Sequence, residues 1–166
     1  MNDLFRTDEE IVDLYSRHVN TVYKVCFMYL KNRYDTEDAV QNVFIKLIGA
    51  KKIFEDAAHE KAWLIVTASN ECKNFLKSSW KKRVLSAIYM QEKEYSDHTN
   101  ESEVLEKVFN LPAKYKDVVY LYYYEGYPTK EIASMLKKTD SAIRSRLHKA
   151  RKLLKMEMED DRYEAR

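Results

Sequence analysis

Two runs of basic residues are the parts of this sequence whose types and spacing could do chemistry. From Glu71 to Arg83 every charged residue after the first is basic, and from Lys137 to Lys155 the only acid is Asp140. Lysine and arginine neutralise phosphates and release condensed counterions, so such runs are typical of contacts with a polyanion. A basic run can also be a solvated helix face. The choice between the two interpretations depends on the helix that carries each run.

The first run lies on a predicted helix from near residue 60 to residue 83. At about 100° of rotation per residue, one side of this helix opposes its apolar seam. The side chains on that side are Trp63, Asn70, Lys73, Asn74, Lys77 and Lys81. An asparagine amide can pair with an adenine edge, and an aromatic ring can stack on an unpaired base. Taken alone, this side is more simply interpreted as a solvated face with a half-buried Trp63.

The second run belongs to a short helix, a tight turn and a long basic helix. Ile143, Leu147 and Leu154 form an apolar seam along the long helix. The pattern is that of a helix-turn-helix, in which the first turns of the second helix reach base edges in the major groove. The predicted base contacts are Ser141, Arg144, Ser145, His148 and Lys149, and the predicted phosphate contacts are Arg151, Lys152 and Lys155. Because turn, seam and charge agree, DNA binding is preferred here over a solvated face.

Long helices must position both runs, because the 166 residues contain only 2 Gly and 2 Pro. A β-sandwich or barrel needs more turn residues than that. The sequence predicts an all-α fold of two small helical domains joined by a flexible linker, the second domain containing the helix-turn-helix. In the first domain, the segment Thr7–Glu10 has capping-box spacing. Asp35 and Thr36 are expected to cap the second helix, and Gly49 is expected to end it.

The predicted domains are residues 1–83, an acidic linker over 84–103, a second domain over 104–157 and an acidic tail over 158–166. The linker is polar, acidic and aperiodic. Four shorter helices are expected in the second domain. Residues 118–124 have strand propensity, but Pro112, Gly126 and the helical spacing of their apolar side chains favour a helix. Their tyrosines are interpreted as core, and Thr129 is expected to cap the following helix.

Several function classes lack the residues they need. The two glycines stand apart, so no phosphate-binding glycine loop can form. Cys26 and Cys72 form no paired motif, the four histidines are scattered, and no apolar run is long enough to cross a membrane. No nucleophile–base pair or metal cluster is evident, so an enzyme is the least favoured class. No export signal is evident, and we expect a cytoplasmic protein without cofactor, metal or membrane insertion.

Several short motifs together resemble bacterial sigma factors of the extracytoplasmic-function type. Residues 34–44 (YDTEDAVQNVF) resemble the second conserved region, and residues 63–70 resemble its continuation. Residues 111–112 (LP), 131–133 (EIA) and 145–151 (SRLHKAR) resemble the fourth region. The motifs stand in the family's order and separation across most of residues 11–155.

The resemblance implies a promoter-specificity subunit that binds core RNA polymerase and promoter DNA, with an anti-sigma factor as a further partner. Asp38, Gln41 and Phe44 would belong to the polymerase-contacting helix or its support. Asn70 and its neighbours would face the minus-ten element, and the loop over residues 51–60 would help to capture an unstacked base. The helix-turn-helix would bind the minus-thirty-five element as duplex. Nucleotide hydrolysis is not required.

Two rival functions remain from the sequence. A helix-turn-helix regulator that acts without polymerase would leave the motif around Asp38 and the stripe around Asn70 unexplained. A protein-interaction module such as an anti-sigma-type adaptor would not need the basic helix. One departure from the family pattern concerns the turn, where Lys137 and Lys138 replace a glycine and an apolar residue. Because a left-handed non-glycine residue costs about 1–2 kcal/mol, we expect this turn to be wider or differently placed.

Overall fold

The computed structural model describes residues 6–85 and 103–164, with side chains described over 6–79 and 107–155. Within these ranges every regular element is a helix, which confirms the predicted all-α fold. Tertiary contacts divide the chain into two units, Met1–Ser96 and Asp97–Arg166. The predicted linker over 84–103 lies outside the described residues except at its ends, where residues 84–85 and 103 belong to helices.

The first unit contains three helices that all pack on one another. They are α1 (Asp8–Leu30), α2 (Arg33–Gly49) and α3 (Ala57–Leu85). Their core contains Val22, Val25, Val43, Leu64 and Ile65, each fully buried. These residues recur at helical spacing, so burial of the apolar seams fixes which sides of α2 and α3 face outward.

The helix ends in the first unit confirm the predicted cap of α1 and the predicted end of α2, and they correct the predicted cap of α2. Thr7 and Glu10 form the capping box of α1. The cap of α2 is Asn32, whose side chain accepts from the Asp35 N–H at 2.9 Å, so the expected cap at Asp35 and Thr36 was wrong. Gly49 does end α2, but the left-handed residue is Lys51, at φ 46°. Glycine is therefore not needed there for its conformational freedom.

The second unit contains α4 (Glu103–Asn110), α5 (Ala113–Val119), α6 (Thr129–Leu136) and α7 (Asp140–Glu164). A π-helical turn, Tyr120–Tyr124, directly continues α5. Val118, Leu121, Ile132 and Ile143 are fully buried in this unit. Residues 118–124 are thus helical, as predicted, and burial of their apolar side chains outweighs their strand propensity.

The tyrosines of the π turn were expected to be core, and this was only partly right. Tyr120 is buried, whereas Tyr123 and Tyr124 are about half exposed, at 53% and 49%. Ile48, the last large apolar residue of α2, is likewise 45% exposed. Helical spacing predicts which side of a helix is apolar, but it does not show where neighbouring helices stop covering that side.

The helix-turn-helix turn is short and contains no glycine. Lys137 adopts the left-handed conformation at φ 53° and donates its N–H to the last turn of α6, so the expectation of a wider turn was wrong. The Thr139 hydroxyl accepts from the Ala142 N–H at 3.1 Å and caps α7. At the other end of α6, Pro128 is the N-cap and Thr129 is already helical, which corrects the predicted cap. Gly126 does adopt a positive φ, 73°, beyond the end of the π turn.

The described helices include none that is both long enough and apolar enough to cross a membrane. The backbone of α7 extends to Glu164, so most of the predicted acidic tail, residues 158–164, continues this helix.

Candidate nucleic-acid interface

A basic surface runs along α7, and we call its predicted DNA contacts the α7 stripe. The structure leaves all of them exposed: Ser141, Arg144, Ser145, His148, Lys149, Arg151, Lys152 and Lys155. The opposite side of the helix is buried through Ile143, Leu147 and Ala150. Arg144 makes an ion pair with Asp140 one turn earlier, at 3.1 Å. The helix therefore presents its cationic side chains to solvent because its apolar side is fixed in the core.

Arg146 and Arg151 play roles that the sequence does not reveal. Arg146 donates to the Lys114 carbonyl at 3.2 Å, so it ties α7 to α5. The Nε of Arg151 donates to the Tyr123 hydroxyl at 2.5 Å. This hydrogen bond raises the pKa of Arg151 above its ordinary value, against the smaller opposing effect of burial. The sequence does not predict this contact, because nothing in the spacing of Tyr120–Tyr124 shows which tyrosine faces α7.

The predicted minus-ten side chains lie along α3, and we call them the α3 stripe. Asn70, Asn74 and Lys77 are exposed, while Trp63 and Lys73 are half-buried. The side chain of Lys81 lies outside the described residues. Because α3 is one uninterrupted helix from Ala57 to Leu85, residues spaced by three, four and seven positions share one face.

Trp63 belongs to a group of aromatic and cationic side chains around the loop before α3. This loop cluster consists of Arg6, Lys52, Phe54, His59 and Trp63. The Phe54 ring centroid lies 5.8 Å from that of Trp63 and 5.6 Å from that of His59. The Lys52 ammonium lies 5.8 Å from the Trp63 ring centroid and 6.0 Å from that of Phe54. Cations at these distances are attracted by the negative faces of aromatic rings.

Arg6 holds the loop from outside. Its Nη1 donates to the Leu47 carbonyl at 3.0 Å and its Nη2 to the Lys52 carbonyl at 2.7 Å. The guanidinium carbon also lies 5.6 Å from the Phe54 ring centroid. One side chain therefore joins the end of α2 to the loop. The sequence gives no sign of this, because the two carbonyls are distant from Arg6 along the chain.

An open cavity of about 300 Å³ lies beside the loop cluster. Its lining comprises Arg6, Glu10, Lys51, Lys52, Ile53, Phe54 and Glu60. Oε1 of Glu60 makes an ion pair with Arg17 Nη1 at 3.2 Å and lies 2.6 Å from His18 Nε2, so Glu60 ties the first turn of α3 to α1. The loop over residues 51–56 and the start of α3 thus form a concave, partly cationic surface at one end of the α3 stripe.

A third surface lies on α2, where the predicted polymerase contacts are found. Asp38 and Gln41 are exposed, whereas Phe44 is only 7% exposed and packs on Tyr15, with ring centroids 4.7 Å apart. Phe44 therefore supports the helix from beneath. Large apolar side chains that the sequence analysis did not assign to this surface share the face of Asp38 and Gln41. We call the exposed set Tyr34, Asp38, Gln41, Ile45 and Ile48 the α2 stripe.

The position of α2 against α3 is fixed by a polar contact away from the α2 stripe. Glu71 on α3 pairs with Lys46 and accepts from the Asn42 amide at 3.1 Å. Within the described residues, no three His, Cys, Asp or Glu side chains are grouped so that they could hold a metal ion.

Family models match both units. A model described as sigma-70 region 2 matches residues 14–82, and one described as sigma-70 region 4 matches residues 103–154. The two matches cover the α2 and α3 stripes and the α7 stripe through residue 154, in the order expected from the motifs. The chain belongs to the sigma-70 family of RNA polymerase sigma factors. The resemblance stated from the sequence is thereby confirmed.

Curated relatives of this sigma factor span nearly its whole length. RNA polymerase sigma factor SigV of Bacillus subtilis is 25% identical over 150 residues, covering 89% of this chain and 90% of the relative. ECF RNA polymerase sigma factor SigX of the same organism is 23% identical over 159 residues, covering 88% and 82%.

A solved structure shares the fold of this sigma factor. The sigma factor RpoE of Bartonella quintana, in complex with the anti-sigma factor NepR, matches with a TM-score of 0.71 at 17% identity. The match covers 89% of this chain and 97% of that one.

Proposed function

We propose that this sigma factor binds core RNA polymerase, directs it to promoters, melts the DNA and so starts transcription. The observation that carries the proposal is the presence of region 2 and region 4 together on one chain. A helix-turn-helix regulator acting without polymerase would need only the second unit. It would leave the α2 stripe and the α3 stripe without a role, so that alternative is not favoured.

The α2 stripe is our candidate for the contact with polymerase. Tyr34 is 82% exposed and Ile45 is 65% exposed on the face that also carries Asp38. Exposed apolar side chains gathered around a few polar ones are typical of surfaces that a partner protein covers. Phe44 would act from beneath by holding α2 on α1.

The α3 stripe and the adjoining loop cluster are our candidate for the minus-ten element. Lys73 and Lys77 can neutralise phosphates, and the amides of Asn70 and Asn74 can pair with base edges. Extruding a base costs a few kcal/mol, so a pocket must compensate for the lost stacking. The open cavity beside Phe54 supports that role for the loop, and its lining contains three cations together with the carboxylates of Glu10 and Glu60.

The α7 stripe is our candidate for the minus-thirty-five element. Ser141, Arg144 and Ser145 lie in the first turns of α7, where a helix-turn-helix contacts base edges. Lys152 and Lys155 lie further along, where phosphates are the nearer partners. Promoter specificity would then combine a duplex contact and a single-strand contact on one subunit.

The remaining roles follow from this assignment. We propose that the chain acts as a non-catalytic subunit, without a cofactor of its own, in the cytoplasm, where core polymerase and promoter DNA are found. We further propose an anti-sigma factor as a regulatory partner, since the structurally similar sigma factor of Bartonella quintana is solved in complex with one.

Run-off transcription tests the proposal. Purified core polymerase should start new transcripts from a genomic promoter library only when the chain is present. The Asp38→Arg variant, which reverses a charge on the α2 stripe, should abolish both these transcripts and co-purification with core polymerase. A matched control is Glu9→Arg, which makes the same charge change at an exposed acid of α1. The absence of new transcripts from every template with the unaltered chain would overturn the proposal.

A further inference from the structure

Tyr123 and Arg151 form a joined pair on the outer surface of the second unit. Besides the hydrogen bond at 2.5 Å, the guanidinium carbon lies 5.7 Å from the Tyr123 ring centroid and 5.8 Å from that of Tyr122. The two rings meet edge to face with centroids 4.9 Å apart. Two rings and one hydroxyl therefore restrict the orientation of Arg151, although both Arg151 and Tyr123 are exposed.

Tyr123 lies within the π turn. Glu125 donates its N–H to the Tyr120 carbonyl at 3.2 Å, a bond that spans five residues instead of four. Because this turn holds more residues than an α-helical turn, successive side chains within it are separated by a smaller angle than in an α-helix. Such π-helical turns occur frequently at functional sites.

The pair retains the groups that bind a phosphate. A guanidinium has five N–H donors, and the bond to Tyr123 uses the one at Nε. The terminal nitrogens form a fork that matches two phosphate oxygens. The Tyr123 hydroxyl accepts from Arg151, so its own hydrogen is the donor that it can offer to an acceptor outside the pair. Both residues can thus donate to one anion.

The position of the pair along α7 fits the edge of a major groove. Arg151 follows Arg144 by seven residues, which is two helical turns, or about 10 Å along the axis on the same face. When the first turns of such a helix lie against bases, a side chain two turns later lies near the phosphate backbone.

We propose that Tyr123 and Arg151 together bind one backbone phosphate of duplex DNA, which makes Tyr123 a DNA contact outside the α7 helix. This inference rests on one part of the proposed function, namely that duplex DNA binds along the α7 stripe. The competing role is purely structural: Tyr123 would brace α7 without touching DNA.

Fluorescence anisotropy of the full chain with a labelled mixed-sequence duplex tests the proposal, because a phosphate contact is independent of sequence. Tyr123→Phe removes only the hydroxyl and should weaken binding about tenfold, as expected for a lost hydrogen bond to a charged group. Arg151→Ala should weaken binding further and lower the slope of log affinity against log salt by about 1. Tyr124→Phe is the matched control, since Tyr124 is similarly exposed but stacks on Tyr120, with centroids 5.3 Å apart.

A double-mutant cycle separates the two roles. If Tyr123 donates to the phosphate itself, Tyr123→Phe should still weaken binding once Arg151 is alanine, although by less than in the unaltered chain because the two residues are coupled. Unchanged affinity of Tyr123→Phe in the otherwise unaltered chain, or no further loss in the Arg151→Ala background, would overturn the proposal. Thermal unfolding of each variant shows whether a change in affinity comes from a change in fold. If the unaltered chain binds no duplex at all, the proposed function is wrong. If the chain binds duplex but the variants behave otherwise than expected, only the Tyr123–Arg151 contact is wrong.

Discussion

In the first unit, the cations nearest the α3 stripe contact other groups of the same unit. Arg6 donates to the carbonyls of Leu47 and Lys52, and the Lys52 ammonium lies near aromatic rings. In the second unit, the α7 stripe projects from a single helix whose apolar side is buried. The local geometry of α7 is enough to arrange the α7 stripe, because one helix fixes the direction of every side chain in it. In the first unit, the loop cluster depends on contacts between residues that are far apart in the chain.

This difference determines which substitutions should disturb each surface. The loop cluster can be disturbed by changing a residue that never touches DNA, because its geometry depends on tertiary contacts. The α7 stripe should respond mainly to changes in its own side chains, provided that the core under α7 stays intact.

The largest effect is expected from Leu64→Ala in the core of the first unit. Leu64 is 0% exposed, and removal of a buried leucine costs about 2–5 kcal/mol in the free energy of unfolding. Promoter melting should be lost while binding of duplex DNA through the α7 stripe persists. Urea unfolding followed by circular dichroism, together with anisotropy on a duplex, measures both. Val12→Ala, at a 64% exposed valine, is the control and should change stability by less than about 0.5 kcal/mol. Equal loss of duplex binding and of melting would show that the two units do not act separately.

Arg144→Ala should have the next largest effect, and only on sequence selectivity. A bidentate contact between arginine and a base contributes about 1–3 kcal/mol of discrimination. Binding to the promoter duplex recovered by run-off transcription should weaken by that amount relative to a random duplex, as measured by competition gel shift. The control is Arg146→Ala, which removes the bond to the Lys114 carbonyl and should alter stability without altering selectivity. Equal losses on both duplexes would remove Arg144 from base contact.

The α7 stripe could be predicted from the sequence, and the loop cluster could not. Ile143, Leu147 and Ala150 mark one side of α7, so the opposite side follows from helical geometry alone. The anchor at Arg6 depends on carbonyls that fold close to it, and no local pattern records that approach. The contact between Tyr123 and Arg151 was missed for a related reason, since the two residues are distant in the chain and the spacing of Tyr120–Tyr124 does not show that a π turn forms. Asn32 was missed as a cap because Asp35 and Thr36 have equally good capping chemistry.

A moderate effect is expected from Arg6→Ala. It removes two hydrogen bonds from a charged group at a partly exposed site, a loss of about 1–2 kcal/mol in loop anchoring. Open complexes, measured by permanganate footprinting with saturating core polymerase, should fall about tenfold, with duplex binding unchanged. Arg6→Lys keeps the charge but lacks the fork, so it should rescue only in part. Arg33→Ala is the matched control, because Arg33 makes an ion pair with Glu37 on the exposed surface of α2. Wild-type opening by Arg6→Ala would show that the loop keeps its geometry without this anchor.

The smallest effect is expected from replacing two lysines whose backbone is left-handed, one in each unit. Lys31 follows α1 at φ 59° and Lys137 follows α6 at φ 53°. Replacement by glycine removes a steric cost of about 1–2 kcal/mol, but glycine also gains freedom in the unfolded chain worth about 0.5–1 kcal/mol. Lys137→Gly should therefore stabilise the second unit by up to about 1 kcal/mol, because Lys137 is exposed and its replacement retains the N–H that ends α6.

Lys31→Gly should gain less, because the Lys31 side chain is half-buried and glycine would lose its packing. Thermal unfolding of the two variants measures the difference. A greater gain in stability for Lys31→Gly than for Lys137→Gly would give the opposite result. It would show that the Lys31 side chain stabilises the end of α1 by less than its left-handed backbone costs. Unchanged selectivity for the promoter duplex in Lys137→Gly would show that the turn positions α7 without help from the lysine side chain. A change in selectivity would instead make the α7 stripe dependent on its turn, and the contrast between the two units would then weaken.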